Sequence, residues 1–481
     1  MILVFIQAVL VIGAGVGLFW LWRLAAPSER WLRYIVAAGF FARAILGQAL
    51  FWISWAQLPI ARGMQLGDGL WSFAIDAQIY VPFATWGARH GLWAIITFDR
   101  TAPSVMYIQL LGVANWLFGI VTAAGLLLNL FCHLGMIAIL VRWPVKTPTA
   151  RNAAAVVIAA ISLSPAFVLW SLQPLKDTFF QFLIVAFVAS CAWWQRAWSV
   201  PDDTASRIGI GVLLSVLMYA LAGIRWYFAF ALIVAASLFL FLTAFRAAAR
   251  PIIAFSAPIL LTIVFCRGLV AAAAPYMPPQ LIAVMAPSTT LGTIPQLPVA
   301  LIGGIDSARD GFQRSGGNTA IIDSSTPDAA PVITVAPRHA PLTAAQRRHK
   351  VARPIAQPKS RTSRLLAGAA ATVLPRTIGE RLGLFHIAGG RGMLWFTEFD
   401  TLIFDLSLLF AITVVTLRFR AALRNPLTWL VVALTVLVGG PLVYSITNYG
   451  TLFRLREMIF LGLLFTPLAI ATAAPSSRLV D

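Results

Sequence analysis

Long apolar runs, broken by short stretches carrying arginine or proline, fill most of the chain. A run of about 20 residues is the length that crosses a bilayer as a helix. On that measure the pattern predicts membrane helices at about 1–22, 34–57, 122–142, 152–170, 177–195, 208–224, 226–245, 251–272, 399–418, 426–446 and 454–474. Between the second and third helices, 70–98 sets Trp71, Asp76, Tyr80, Trp86, Arg89 and His90 among apolar residues, which is too polar for burial in lipid. The next stretch, 104–119 ("SVMYIQLLGVANWLFG"), is apolar but short for a span. Its Tyr107, Trp116 and Phe118 suit the headgroup boundary. Both are expected to lie along the membrane. A second interruption, 273–398, is rich in Pro, Ala, Ser and Thr; its middle, 287–365, has no periodicity and is expected to be disordered or loosely looped.

The pattern divides the chain into N-terminal transmembrane helices (1–58), a loop with membrane-lying helices (59–121), a transmembrane bundle (122–272), a Pro/Ala-rich insert (273–398) and C-terminal transmembrane helices (399–481). Composition agrees with an all-α polytopic membrane protein of about 11 spans. Hydrophobic residues make up 60% of the chain, charged residues only 11%, and mean hydropathy is +0.84. The excess of Lys+Arg, 36 against 17 acidic residues, is therefore read against the membrane and not as a nucleic-acid signature. Arg23, Arg30 and Arg33 follow the first apolar run, so it reads as a retained helix, not a cleaved signal. With the 23–33 loop in the cytoplasm, Arg142, Lys146, Arg151, Arg196, Arg207, Arg246, Arg250, Arg418, Arg420, Arg424 and Arg478 all fall inside. The N-terminus is then outside and the C-terminus cytoplasmic, in a plasma (inner) membrane. The three cysteines lie within apolar runs, which argues against a disulfide framework. The basic run Arg347–Arg364 reads as part of a solvated insert or as a contact for anionic polymer or headgroups.

Ionisable residues at the outer ends of the helices change the picture. They are Asp68, Asp76 and Asp99 in the first loop, Lys176 and Asp177, Arg225, Glu398 and Asp400, and Arg454, Arg456 and Glu457. Charges at or within a membrane boundary are costly and point to a pathway or a paired site. Singly, each has a structural explanation: Arg225 and Lys176 reach toward headgroups, and Asp177 caps a helix. Together, cations that hold an anion and carboxylates that take a proton suit phosphate chemistry. No Walker-type loop and no His or Cys cluster with ligand spacing is present.

Several stretches resemble one family. "GDGLWSFAIDAQIY" (67–80) is similar to an acidic first-loop motif, and "TAPSVMYIQLLGVANWLFG" (101–119) to a proline–tyrosine jaw helix. "LSPAFVLWSLQPLKDTFFQFL" resembles a proline-ended helix meeting an aspartate-started one, and "NYGTLFRLR" a Gly-x-x-x-Arg-x-Arg ending of polysaccharide-biosynthesis membrane proteins. Over about residues 34–270 the chain thus resembles the C-type (GT-C) superfamily of integral-membrane glycosyltransferases, in particular its family-39 mannosyltransferase and aminoarabinose-transferase group. The acidic pair of the first loop is here only "GDG", and a helix precedes the usual first one.

The resemblance implies a GT-C-like bundle with interfacial jaw helices. It implies transfer of a sugar from a polyprenyl-phosphate-linked donor to a glycan or lipid-linked acceptor on the extracytoplasmic face, in cell-surface polysaccharide (exopolysaccharide) biosynthesis. Asp68, or else Asp76, is the expected general base. Lys176, Arg225, Arg454 and Arg456 would face the departing phosphate, with Asp177 orienting Lys176 and Glu398 orienting an arginine. The sequence requires no cofactor and leaves a divalent metal open. Expected partners are the bilayer, the lipid-linked donor and the acceptor, with no nucleic acid and possible polysaccharide assembly proteins. An O-antigen-type polymerase or ligase relying on the arginines, a lipid-linked sugar transporter, and an assembly scaffold stay open as alternatives.

Overall fold

The computed structural model describes residues 2–98, 104–119, 121–144, 147–199, 204–244, 320–323, 332–335, 361–385, 394–445 and 449–472. Most of them are helical. The helices are α1 (Ile2–Ala25), α2 (Arg30–Trp55), α3 (Ala77–His90), α4 (Leu92–Ile96), α5 (Val105–Phe118), α6 (Ala123–Val141), α7 (Pro148–Leu163), α8 (Pro165–Leu169), α9 (Lys176–Ser199), α10 (Thr204–Ile224) and α11 (Trp226–Ala244). After the insert come α12 (Arg361–Val373), α13 (Arg376–Arg381), α14 (Leu394–Leu417), α15 (Phe419–Arg424), α16 (Pro426–Ser445) and α17 (Tyr449–Ala471). Among the described residues, seven helices are long and apolar enough to cross a membrane: α1, α2, α6, α9, α10, α14 and α16. The chain is an all-α membrane protein. α5 has 14 residues, about 21 Å at the helical rise, and falls short of a hydrocarbon core of about 30 Å.

The expected helix at 152–170 is two helices. α7 starts cleanly, with Thr147 accepting from the Ala150 amide at 3.2 Å and Pro148 in the first turn. It stops at Ser164, whose ψ of 130° is outside the helical region, because Pro165 disfavours a helical residue before it and offers no N–H to continue the ladder. The expected helix at 251–272 lies outside the described residues, as do Asp99, Cys266 and most of the 287–365 insert. Inside that insert two short strands, Ala320–Asp323 and Val332–Val335, pair antiparallel. "AIID" and "VITV" carry the β-branched residues that favour such pairing.

α9 runs through the centre of the bundle. Phe180, Val185, Phe187, Ala189, Cys191 and Trp194 are each no more than 1% exposed. Lipid is as apolar as leucine, so close packing, not hydrophobicity, holds such helices together. Glycine permits the closest approaches: a Cβ on Gly39 would lie 2.6 Å from the Ser162 carbonyl oxygen, which fixes α2 against the end of α7.

The two ends of the bundle differ in chemistry. At one end arginines bind helix-terminal and loop carbonyls: Arg142 donates to Leu24, Arg196 to Pro144, and Arg207 to Ala197 at 3.2 Å. Cations are favourable at helix C-termini, where carbonyls lack partners. The start of α9, the end of α10 and the start of α17 meet at the other end, where both signs of charge gather.

Candidate functional site

The loop between α8 and α9 sets the site. Asn129 of α6 donates to the Ser171 and Gln173 carbonyls at 2.9 and 2.7 Å, holding "SLQPL" so that α9 begins at Lys176. Asp177 therefore falls in the first turn of α9, where the helix dipole favours an anion. It is 2% exposed, and both its oxygens are taken. Arg225, between α10 and α11, pairs with Oδ1. Arg454, in the second turn of α17, reaches Oδ2 with Nε at 2.8 Å and Nη2 at 2.5 Å. The remaining nitrogen of Arg454 lies 2.5 Å from Oδ2 of Asp76, just ahead of α3.

Lys176 points elsewhere. Its Nζ donates to Ser104 Oγ at 2.5 Å and lies 5.5 Å from the centre of the Tyr80 ring. Rings line the cations throughout: Arg225 stands 4.8 Å from Phe180 and Arg454 5.8 Å from Trp170. Tyr80 meets Tyr107 edge-on at 5.3 Å and so joins α3 to α5. The sequence thus brings five of its candidates, Asp76, Lys176, Asp177, Arg225 and Arg454, into one cluster from α3, α9, α10 and α17.

Arginine stays protonated in proteins, and both carboxylates here are held by arginines. Lys176 forms no ion pair with a carboxylate among the described residues, so the cluster sets three basic side chains against two carboxylates. Outside the spans, Asp76 feels burial, which raises its pKa, against Arg454 and then Lys176, which lower it; the cations win and the carboxyl sits below the usual range. Burial first, then Asp76, push the Tyr80 phenol upward, so it stays protonated.

Other candidates are placed differently. Asp68 is exposed at the tip of a hairpin, at φ +50° between Gly67 at +85° and Gly69 at +81°. Its carbonyl accepts from Thr122 at 2.8 Å, and its side chain makes no ion pair among the described residues. The tip is nevertheless at the same end as Lys176, since Gln173 donates to the Gly69 carbonyl at 3.4 Å. Asp177 does not orient Lys176, because the two arginines occupy it. Glu398 pairs with no arginine among the described residues; it accepts from the amide and hydroxyl of Thr377 at 2.9 and 2.5 Å, at the start of α13.

Arg456 leaves the cluster because residues two apart on a helix do not share a face. It pairs with Asp400 at 2.6 Å and donates to Thr401 Oγ1 at 2.9 Å and the Thr372 carbonyl at 3.2 Å. Asp400 in turn accepts from Ser164 Oγ at 2.5 Å and from the Ala166 amide at 3.1 Å. It satisfies the freed amide of α8 while Arg43 satisfies the freed end of α7, donating to Ile161 at 2.7 Å and Ser162 at 2.9 Å. Asp400, Arg456 and Arg43 therefore hold the broken helix together.

The sequence candidates for the site do not include Arg43, Ser104, Tyr80 or Trp170. Arg43 had a visible signal, a lone arginine midway along an apolar run. Ser104 had none, since it meets Lys176 only across 72 residues of chain. Among the described residues no three His, Cys, Asp or Glu side chains converge as metal ligands. Compared with family models, curated proteins and solved structures, the chain matches none of them.

Proposed function

We propose that the chain is a membrane glycosyltransferase that takes a sugar from a polyprenyl-phosphate-linked donor and passes it to a glycan or lipid-linked acceptor. The observation that carries this reading is the excess of basic side chains over carboxylates, three against two, in the Asp76–Arg454–Asp177–Arg225–Lys176 cluster. A phosphate brings the missing anion. Lys176, beside the two guanidiniums, is the donor that would stabilise charge growing on it as the glycosidic bond breaks.

Asp76, ionised and partly exposed, is the base placed to take the acceptor hydroxyl's proton. Asp68 lies beyond the ion pairs, on the side from which an acceptor arrives.

In this reading the charged end is the extracytoplasmic face, the arginine-capped end is cytoplasmic, and eleven spans form a GT-C-like bundle in the inner membrane, with the N-terminus outside. α3–α5 are the jaw helices, and the product is a cell-surface polysaccharide. A polymerase-type mechanism is the second reading; it draws on the same arginines, which outnumber the free carboxylates.

The test uses the full chain in proteoliposomes with a panel of labelled short-chain polyprenyl-phosphate sugars and an extracted glycan acceptor. Wild type should move label from carrier to acceptor, and Lys176→Gln should abolish most of that transfer. Label that stays on the carrier across the panel would remove the proposal.

A further inference from the structure

One helical turn inward from the Asp177–Arg454 pair, the same two helices meet again. Gln181 of α9, four residues after Asp177, donates through Nε2 to Oε2 of Glu457 on α17, three residues after Arg454. Both side chains are 3% exposed. Their other oxygens, Oε1 of Gln181 and Oε1 of Glu457, are buried and have no hydrogen-bond partner among the described residues.

The charged groups within electrostatic reach of Glu457 are engaged elsewhere. Asp177 on α9 and Arg225 at the end of α10 pair with each other, and Arg454 on α17 bridges Asp177 and Asp76. Asp400 on α14 pairs with Arg456. Arg43 on α2 faces Glu457 but spends its donors on the carbonyls of Gly39, Ile161 and Ser162. No ion pair with Glu457 forms among the described residues.

We propose that Glu457 is a proton-binding site: it holds a proton on Oε1 and donates it to Oε1 of Gln181, closing a cyclic acid–amide pair. The amide already gives one N–H to the carboxyl; a carboxylic O–H returned to the amide oxygen satisfies both orphaned atoms with one proton. Without that proton, two buried acceptors stay unpaired and a carboxylate sits in a dry interior with no cation of its own, both of which are costly. The proton also protects the outer cluster. Loss of it would set a third carboxylate against Asp177 and Asp76 for Arg454, one turn away, so the hold on the aspartates is linked to proton occupancy.

Infrared difference spectroscopy tests this on the full chain in nanodiscs, without substrate and therefore without reference to sugar transfer. At neutral pH, wild type minus Glu457→Gln should show a carboxylic C=O stretch that shifts in D2O and is lost in the variant. Gln181→Leu should move that band to higher frequency, because a carbonyl freed of its hydrogen bond stiffens. Glutamine keeps the size of the glutamate and its bond to Gln181, so the comparison survives even where Gln181→Leu fails to fold. A difference spectrum with only carboxylate bands would mean that Glu457 is ionised and would overturn the proposal.

Discussion

Arg454 meets Asp177 through two nitrogens on one carboxylate oxygen, Nε at 2.8 Å and Nη2 at 2.5 Å. Its third nitrogen is then free to hold Asp76 at 2.5 Å, so one guanidinium ties α3, α9 and α17 together. Lysine offers the charge as a single point and cannot span both carboxylates. Arg454→Lys should therefore keep the charge of the site but lose the bridge. Charge-assisted hydrogen bonds contribute about 1.5–3 kcal/mol each, so thermal unfolding in detergent should register a loss of that order. An unchanged melting temperature would show that the bridge does not hold the first loop to the bundle.

Asp76 gives the cluster a pH dependence of known sign. Folding holds its carboxyl below the ordinary range, since Arg454 and Lys176 outweigh burial. The ionised group therefore adds stability above the unfolded carboxylate pKa, and that stability is lost as pH falls through the folded value. Melting temperature followed from neutral to acid pH should drop further for wild type than for Asp76→Asn, with the two converging at the acid end. Parallel curves would show that Asp76 is not coupled to the cations.

The two candidate bases of the first loop, Asp68 and Asp76, should separate in activity. General-base catalysis contributes about 10²- to 10⁴-fold, and Asp76 alone of the two touches the cluster. Asp76→Asn should cost sugar transfer a factor in that range, while Asp68→Asn, at an exposed tip, should cost less than tenfold. The reverse order, read from initial rates in proteoliposomes, would return the base to Asp68. Full activity in both variants would favour the polymerase-type reading.

How much of this was visible beforehand depended on whether the cause was local. Length and hydropathy locate a helix from its own residues, so α1, α2, α6, α9, α10, α14 and α16 could be read directly. Ionisable residues beside lipid are rare, so Asp76, Lys176, Asp177, Arg225 and Arg454 stood out without knowledge of their partners. The pairing did not. Asp177 reads as a cap for its own helix, and only the approach of α10 and α17, 48 and 277 residues away, makes it the centre of an ion network. Arg454 and Arg456 look alike in "RLR", but the helix turns them to opposite duties, one toward Asp177 and one toward Asp400. The break at Ser164–Pro165 was written in the proline, whereas the residues that make it tolerable, Arg43 and Asp400, come from α2 and α14.

Close approach of α2 and α7 can be tested at a single atom. Gly39→Ala places a Cβ 2.6 Å from the Ser162 oxygen and 2.9 Å from its Cβ, in a region where backbone has to shift. Overpacking of this kind costs about 1–3 kcal/mol, and here it also displaces the carbonyl that Arg43 binds. Gly13→Ala, also inside a helix but with nothing within 4 Å, is the matched control and should be neutral to slightly stabilising. Equal melting temperatures for the two variants would mean that α2 and α7 are not in contact at this point.

The broken helix makes a sharper demand on Asp400. It is 1% exposed and accepts from Ser164 Oγ, the Ala166 amide and Arg456, so its charge is balanced by a single guanidinium. Removing one member of a buried pair leaves the other uncompensated, at a cost of about 3–5 kcal/mol, whereas replacing both by apolar groups is often neutral or stabilising. Arg456→Met should therefore be severely destabilised, and Arg456→Met with Asp400→Leu should recover part of that loss. The recovery should be incomplete, because the Ala166 amide at the start of α8 then has no acceptor and an unmet amide carries its own penalty. Asp400→Asn keeps an acceptor for that amide and so separates the two duties. If it melts near wild type while Arg456→Met does not, capping of α8 dominates over neutralising the arginine; if both fall equally, the ion pair is what the helix break depends on.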